Sequence, residues 1–193
     1  MHESGDWQGL GSDRPTTADD RRALDELFSA TYEELRRLAA AVRRTEPNAT
    51  LSPTALVNEA WLKLAASPHI ARTSRLHFKR IAARAMRQVL VEAARRRRAE
   101  KRGGGGAIVT FDEGLVPGTA SASSAADAVL ALDGALDALA RISPRQATLV
   151  ESRFFAGLDV SETADLLGVS EATVLRDWRA ARAWLAHELR AER

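Results

Sequence analysis

The stretch that most constrains this chain is Asp159 to Leu189, DVSETADLLGVSEATVLRDWRAARAWLAHEL. It reads as two helices joined by a tight turn. Asp159 or Ser161 caps the first helix, whose apolar side is Ala164, Leu166 and Leu167. Gly168 follows at the position where a helix ends in a left-handed residue. Ser170 caps the second helix, its hydroxyl accepting from a first-turn backbone N–H. Along that helix Val174, Trp178, Ala181 and Leu185 recur at spacings of four, three and four, one buried stripe. The other side carries Thr173, Arg176, Arg179 and Arg182, a basic face suited to a polyanion. A short helix, a Gly-containing turn and a longer helix with a polar start make a helix-turn-helix. An ordinary helical hairpin with a solvated basic face has the same periodicity, but the position of the turn favours DNA binding.

Charge distribution points the same way. The formal net charge is only +2, yet Arg and Lys crowd residues 72–102, with Arg95, Arg96, Arg97 and Arg98 followed by Lys101 and Arg102, against Glu92 and Glu100 alone. Residues 1–20 are acidic, with Glu3, Asp6, Asp13, Asp19 and Asp20 against Arg14. Such asymmetry marks a binding footprint more than a solubility device. The absence of cysteine excludes disulfides, thiolate metal sites and thiol redox sensing. His2, His69, His77 and His187 are scattered, and there is no phosphate loop, zinc spacing or Ser–His–Asp arrangement. No catalytic residue, metal or cofactor is therefore expected. The first residues lack a signal-peptide pattern and no apolar run spans a bilayer, so a cytoplasmic protein without membrane contact is expected.

Apolar residues make up 45 % and aromatics 5 % of the chain, which suits helices packed through small side chains. Residues 1–20, rich in Gly, read as a disordered tail. A first helix carries Leu24, Leu27, Phe28, Thr31, Leu35, Leu38, Ala39 and Val42 on one face and stops at Pro47. Ser52 and Pro53 form a cap and first-turn proline pair, starting a helix with Leu56, Val57, Ala60, Trp61 and Leu64 as its stripe. A third helix, from about Arg75 to Lys101, turns Phe78, Ile81, Ala82, Ala85, Met86, Val89, Leu90 and Ala93 inward. Gly103 to Gly106 ends it. Residues 103–128 read as a flexible tether, with Ile108, Val109 and Phe111 as a patch for a partner. Beyond it, Val129, Leu130, Leu132, Leu136, Leu139 and Ile142 mark a helix. Ser143, Pro144 and Gln146 predict a capping-box start for the next, which Gly157 stops. The expectation is an all-α chain of two small helical domains, 21–102 and 129–193, joined by a flexible linker.

This order of parts resembles bacterial RNA polymerase sigma factors of the sigma-70 family. It is most similar to the extracytoplasmic-function (ECF) group, which keeps only the second and fourth conserved sigma regions. The segments that carry the resemblance are SPTALVNEAWLKL, HFKRIAARAMRQVLVEAARRRRAEKRGG and SPRQATLVESRFFAGLDVSETADLLGVSEATVLRDWRAARAWL. It implies a factor that binds core RNA polymerase, melts the minus-10 promoter element and reads the minus-35 element. The helix from Thr54 to Leu64 would dock on the clamp helices of the largest subunit through Asn58, Glu59 and Leu62, with Trp61 as core, and the flap would be a second contact. His77 and Phe78 would lie at the unstacked minus-10 base, with Arg80, Arg84 and Arg87 on phosphates. Phe78, alone at an apolar position, has core as its competing role. Ser170, Glu171, Thr173 and Arg176 would reach minus-35 base edges, and Arg179 and Arg182 the phosphates.

One departure from the family is the start of the docking helix. Many relatives carry acidic residues there, whereas this chain has Ser52, Pro53, Thr54 and Ala55, with Glu59 the nearest carboxylate. Phosphorylation of Thr54 or Ser52 by a Ser/Thr kinase would supply the missing charge at a helix N-terminus. A plain capping role for Ser52 is the simpler reading. An anti-sigma factor is the other regulatory partner the resemblance implies. Two different functions compete with this one: a regulator that binds DNA alone through an N-terminal sensor, and a helical adaptor for acidic proteins. A sensor has no need of the basic 72–102 helix, and an adaptor leaves the helix-turn-helix unexplained.

Overall fold

The computed structural model describes residues 16–44, 51–103 and 119–191. Among them are seven α-helices and no strand, the all-α class that the periodicity predicts. The expected tail up to residue 15, the Pro47 stop and the Ile108–Phe111 patch lie outside the described residues.

α1 (Ala18–Arg44) takes in residues 18–20 of the expected tail, a correction that follows from Thr17 capping the helix there. The Asp20 backbone N–H donates to Thr17 Oγ1 at 3.2 Å, and the Asp20 carboxylate accepts from Thr17 N at 2.8 Å. α2 (Pro53–Ala65) starts as predicted, with Ser52 Oγ accepting from Ala55 N at 3.1 Å. A 3₁₀ turn (Pro68–Arg72) leads into α3 (Arg75–Gly103). α4 spans Thr119–Ile142, which corrects the tether: residues 119–128 are helical. Their Ala- and Ser-rich composition suits a loose linker, but Ala is also the strongest helix former, and the apolar stripe that follows extends the helix backwards.

α5 (Pro144–Val150) passes directly into a π-helical turn, Glu151–Phe155. There the Ala156 N–H donates to Glu151 O at 3.1 Å, and the buried Ser152 hydroxyl donates to Thr148 O at 2.7 Å. Ser143 precedes α5 as predicted, but its side chain caps nothing. The helical break is instead bridged by backbone: Ser143 N donates to Leu139 O and Ala147 N to Ser143 O, at 2.7 and 3.1 Å. Gly157 stops the turn in the left-handed region, φ +65°. α6 (Val160–Leu167) and α7 (Glu171–Ala191) complete the chain.

One continuous core runs from Leu24 in α1 to Leu185 in α7. α3 is its shared wall. It is packed by α1 and α2 from the N-terminal half and by α4, the π turn and α6 from the C-terminal half. Ala82, Ala83, Ala85, Ala93 and Ala94 are all buried. Small side chains all round the helix let neighbours approach it on several faces. Between α1, α2 and α3 lie Leu24, Leu64, Ile70 and Phe78, each at most 1 % exposed and each contributing about 1.5–3 kcal/mol by leaving water. A smaller cluster, Leu149, Ala164 and Val174, seats α6 on α7. No helix among the described residues is long and apolar enough to cross a membrane.

Candidate nucleic-acid interface

The helix-turn-helix is closed at both ends by its own side chains. Asp159 Oδ1 accepts from Glu162 N at 2.8 Å, and Glu162 Oε2 accepts from Asp159 N at 3.0 Å, a reciprocal capping box. Asp159, rather than Ser161, is therefore the cap. Buried Thr163 donates to Asp159 O at 2.6 Å. Gly168 adopts φ +64°, and the Val169 N–H donates back to Ala164 O at 3.1 Å. Ser170 then caps α7, its Oγ accepting from Thr173 N at 3.2 Å.

α7 buries Val174, Asp177, Ala181 and Leu185. Opposite this stripe, Ser170, Glu171, Arg176 and Arg179 are exposed, and Thr173 is half-buried with its hydroxyl 3.0 Å from Ser170 Oγ. The first two turns of α7 thus present a hydroxyl, a carboxylate and a guanidinium to solvent on a rigid frame. Arg182 belongs to a neighbouring surface. Its guanidinium lies 5.9 Å from the Trp178 ring, which Arg153 covers at 4.8 Å. Arg179 and Arg182 both border an apolar groove of about 680 Å³ lined by Leu132, Phe154, Phe155, Trp178 and Leu189.

On α3 the predicted residues are brought to one stretch but not to one role. Phe78 is 0 % exposed, which corrects its assignment to the DNA surface. Withdrawing it to stack on a base would empty the centre of the N-terminal core. His77 is half-buried near the helix start, its backbone N–H donating to Ser74 Oγ at 3.3 Å. Arg80 and Arg84 are half-buried. Burial pushes the Arg80 pKa down, Glu151 opposes this, and Arg84 adds to it.

Arg87 is engaged within the chain. Its Nε donates to Asp133 Oδ1 at 2.9 Å and its Nη1 to Glu151 Oε1 at 2.5 Å. Its Nη2 donates to Asp133 O at 3.1 Å and to Asp137 Oδ1 at 2.8 Å. Burial alone would lower its pKa, but Glu151, Asp133 and Asp137 outweigh that and the net shift is upward. These carboxylates, and the buried Asp177 of α7, are the site residues that reading the sequence missed. Asp133 and Asp137 stand four apart, on one face of α4, and that spacing was the available signal.

On α2, Thr54, Asn58 and Glu59 are exposed, and Leu62 presents 64 % of its surface. The first turn of α2 holds no acidic residue. Trp61 stacks on Phe28, centroids 4.4 Å apart, the core position expected of it. Lys63 Nζ, 2.8 Å from Glu92 Oε1, ties α2 to α3.

Among the described residues no group of His, Asp and Glu could hold a metal ion. No curated protein and no solved structure gives a match. The sequence matches the ECF sigma factor family over residues 16–191. The chain therefore belongs to that family of non-catalytic factors, which bind core RNA polymerase and promoter DNA and direct promoter-specific initiation of transcription.

Proposed function

We propose that this factor acts in the cytoplasm by reading the minus-35 element with α7 and melting the minus-10 element with α3. The observation that carries the reading is the start of α7. Ser170, Glu171 and Arg176 stand exposed on a capped helix whose other side is fixed in the core, the arrangement by which a recognition helix enters the major groove. Ser170, Glu171, Thr173 and Arg176 contact base edges, Arg176 being able to bond guanine bidentately. Arg179 and Arg182 meet phosphates. On α3, His77, Arg80, Arg84 and Arg87 serve the minus-10 element without Phe78, so base capture falls to a pocket rather than an aromatic platform.

Asn58, Glu59 and Leu62 form the clamp-helix contact, and the apolar groove beside Arg182 suits the flap. Thr54, exposed in an acid-free first turn, is the point at which a kinase would add charge. Thr54→Asp leaving polymerase affinity unchanged would remove that regulatory role. Control by an anti-sigma factor would act through the same exposed surfaces.

The test is transcription in vitro by core RNA polymerase, with and without this protein, on a pooled promoter library. New start sites that share two upstream elements are expected only with the protein. Tight binding to promoter duplex in the absence of polymerase, with no binding to core, would overturn the reading in favour of a regulator that acts alone.

A further inference from the structure

Near the C-terminal end of α3, a cleft of about 730 Å³ opens between that helix and α4, a volume usual for small-molecule sites. The two helices run antiparallel there: Arg87 meets Asp137, Arg95 meets Asp133 and Arg98 meets Asp127. Arg95, Arg98 and Ala99 form the α3 wall, and Leu130, Asp133, Gly134 and Asp137 the α4 wall. The α4 residues recur at spacings of three, one and three, a single face about 10 Å long.

Two features of the cleft point to a ligand. The first is its pair of guanidinium groups. Arg95 Nη2 stands 3.6 Å from Asp133 Oδ2 and Arg98 Nε 3.9 Å from Asp127 Oδ1, both beyond hydrogen-bond length. The arginine side chains are 65 % and 50 % exposed, so these pairs are weak and exchangeable. Asp133 is committed elsewhere, its Oδ1 lying 2.9 and 2.7 Å from Nε and Nη2 of Arg87. Two such arginines on one wall suit a phosphate, which accepts guanidinium N–H groups in pairs. The second feature is Gly134, in the interior of α4, where glycine weakens a helix relative to alanine. It is exposed, and a Cβ there would meet nothing within 4 Å, so packing inside the chain gives no reason for it. A glycine in the wall of a cleft lets a ligand lie close against the backbone.

We infer that this cleft is a guanine nucleotide site, which makes the factor a receptor for a small molecule as well as a reader of DNA. The phosphates lie on Arg95 and Arg98. The base lies over the bare backbone of Gly134, between Leu130 and Ala99, with its edge toward Asp137, whose side chain is 61 % exposed. Guanine is the base that sets two N–H donors side by side, at N1 and N2, and a carboxylate accepts such a pair with its two oxygens. Adenine places its amino donor beside an acceptor and leaves that carboxylate half-matched. Neither Arg95 nor Arg98 is among the residues assigned to promoter DNA, so nucleotide binding stands apart from that role.

Isothermal titration calorimetry on the full chain, without polymerase or DNA, tests this with GTP, ATP and inorganic tripolyphosphate. GTP is expected to bind at least about tenfold more tightly than either of the others. No binding of GTP would overturn the inference, and so would equal affinity for all three, which would make the arginines an unselective polyanion patch. Replacing both exposed arginines, Arg95→Ala with Arg98→Ala, is expected to abolish GTP binding. Gly134→Ala is expected to raise the urea midpoint, because alanine favours the helix, and yet to weaken GTP at least about fivefold by raising the floor of the cleft. A Gly134→Ala chain that is as stable as the parent and binds GTP equally well would overturn the site. Asp137→Asn, at an exposed position, should erase the preference for GTP over ATP and leave tripolyphosphate binding unchanged. A preference that survives it would overturn the assignment to guanine. Failure of the factor to direct transcription would leave each of these results as it stands.

Discussion

Arg145 of α5 reaches across to Asp177 of α7 and places Nε at 2.9 Å and Nη2 at 2.8 Å from the same carboxylate oxygen. The two ends of this pair are unequally wet: 7 % of the Asp177 side chain is exposed, against 51 % for Arg145. Arg145→Ala therefore strands a carboxylate on the buried side of α7, with Arg176 Nε 3.8 Å away as its remaining cation. A loss of about 1–3 kcal/mol is expected in urea denaturation. Asp177→Asn keeps the volume and a hydrogen-bond acceptor and is expected to lose less. A loss below about 0.5 kcal/mol for Arg145→Ala would mean that water reaches the carboxylate and the pair behaves as a surface one.

Gly157 packs against Leu38, joining the bend after the π turn to α1. A Cβ at Gly157 would lie 2.4 Å from Leu38 Cδ2, and the residue sits at φ +65°. Gly157→Ala should cost about 1 kcal/mol or more for the left-handed backbone, plus whatever Leu38 cannot relieve by turning its methyl away. The two parts separate in a double-mutant cycle. In a Leu38→Ala background the steric part should vanish and the backbone part remain, a coupling of about 0.5–3 kcal/mol. Zero coupling in chemical denaturation would show that the two residues do not meet in solution.

What the sequence disclosed follows from the range over which each interaction acts. The caps at Ser52, Asp159 and Ser170, the left-handed Gly168 and the stripe Val174–Ala181–Leu185 are local patterns, and each is found where its spacing puts it. Asp177 lies beside that stripe and is buried, whereas Trp178 is half-buried. The reason is a partner 32 residues away, which no helical period records. The acid cluster around Arg87 is likewise assembled from residues 46 to 64 positions distant. Phe78 fits either a core stripe or a stacking platform by its type, and packing with α1 and α2 decided for the core.

Acid should weaken the ion pairs of the N-terminal half. The Arg72 guanidinium and Thr17 hold the Asp20 carboxyl well below the usual carboxylate range, and Lys79 with Arg75 lowers Glu34. A carboxylate depressed in the folded state stabilises fully above its unfolded pKa, about 4, and that contribution is lost as pH falls through the folded value. Asp20→Asn and Glu34→Gln should thus be less stable than the parent at pH 7, with the difference shrinking below about pH 4. Urea midpoints measured from neutral pH downwards check this. A difference that stays constant with pH would show that neither pair titrates with folding.

Arg176 and Arg179 should separate sequence reading from charge. Arg176 stands in the second turn of α7 with 73 % of its side chain exposed, where a guanidinium reaches base edges. Arg179 lies one turn further along, beside the groove. With polymerase holoenzyme on a panel of minus-35 variants, Arg176→Ala should relax preference at one or two positions by about 1–3 kcal/mol and leave the others unchanged. Arg179→Ala should weaken every variant alike and reduce the salt dependence of binding by about one counterion. Uniform weakening by both substitutions would make α7 a phosphate-binding helix and move base reading to another element. Relaxed preference confined to Arg176→Ala would fix the register in which α7 lies in the groove.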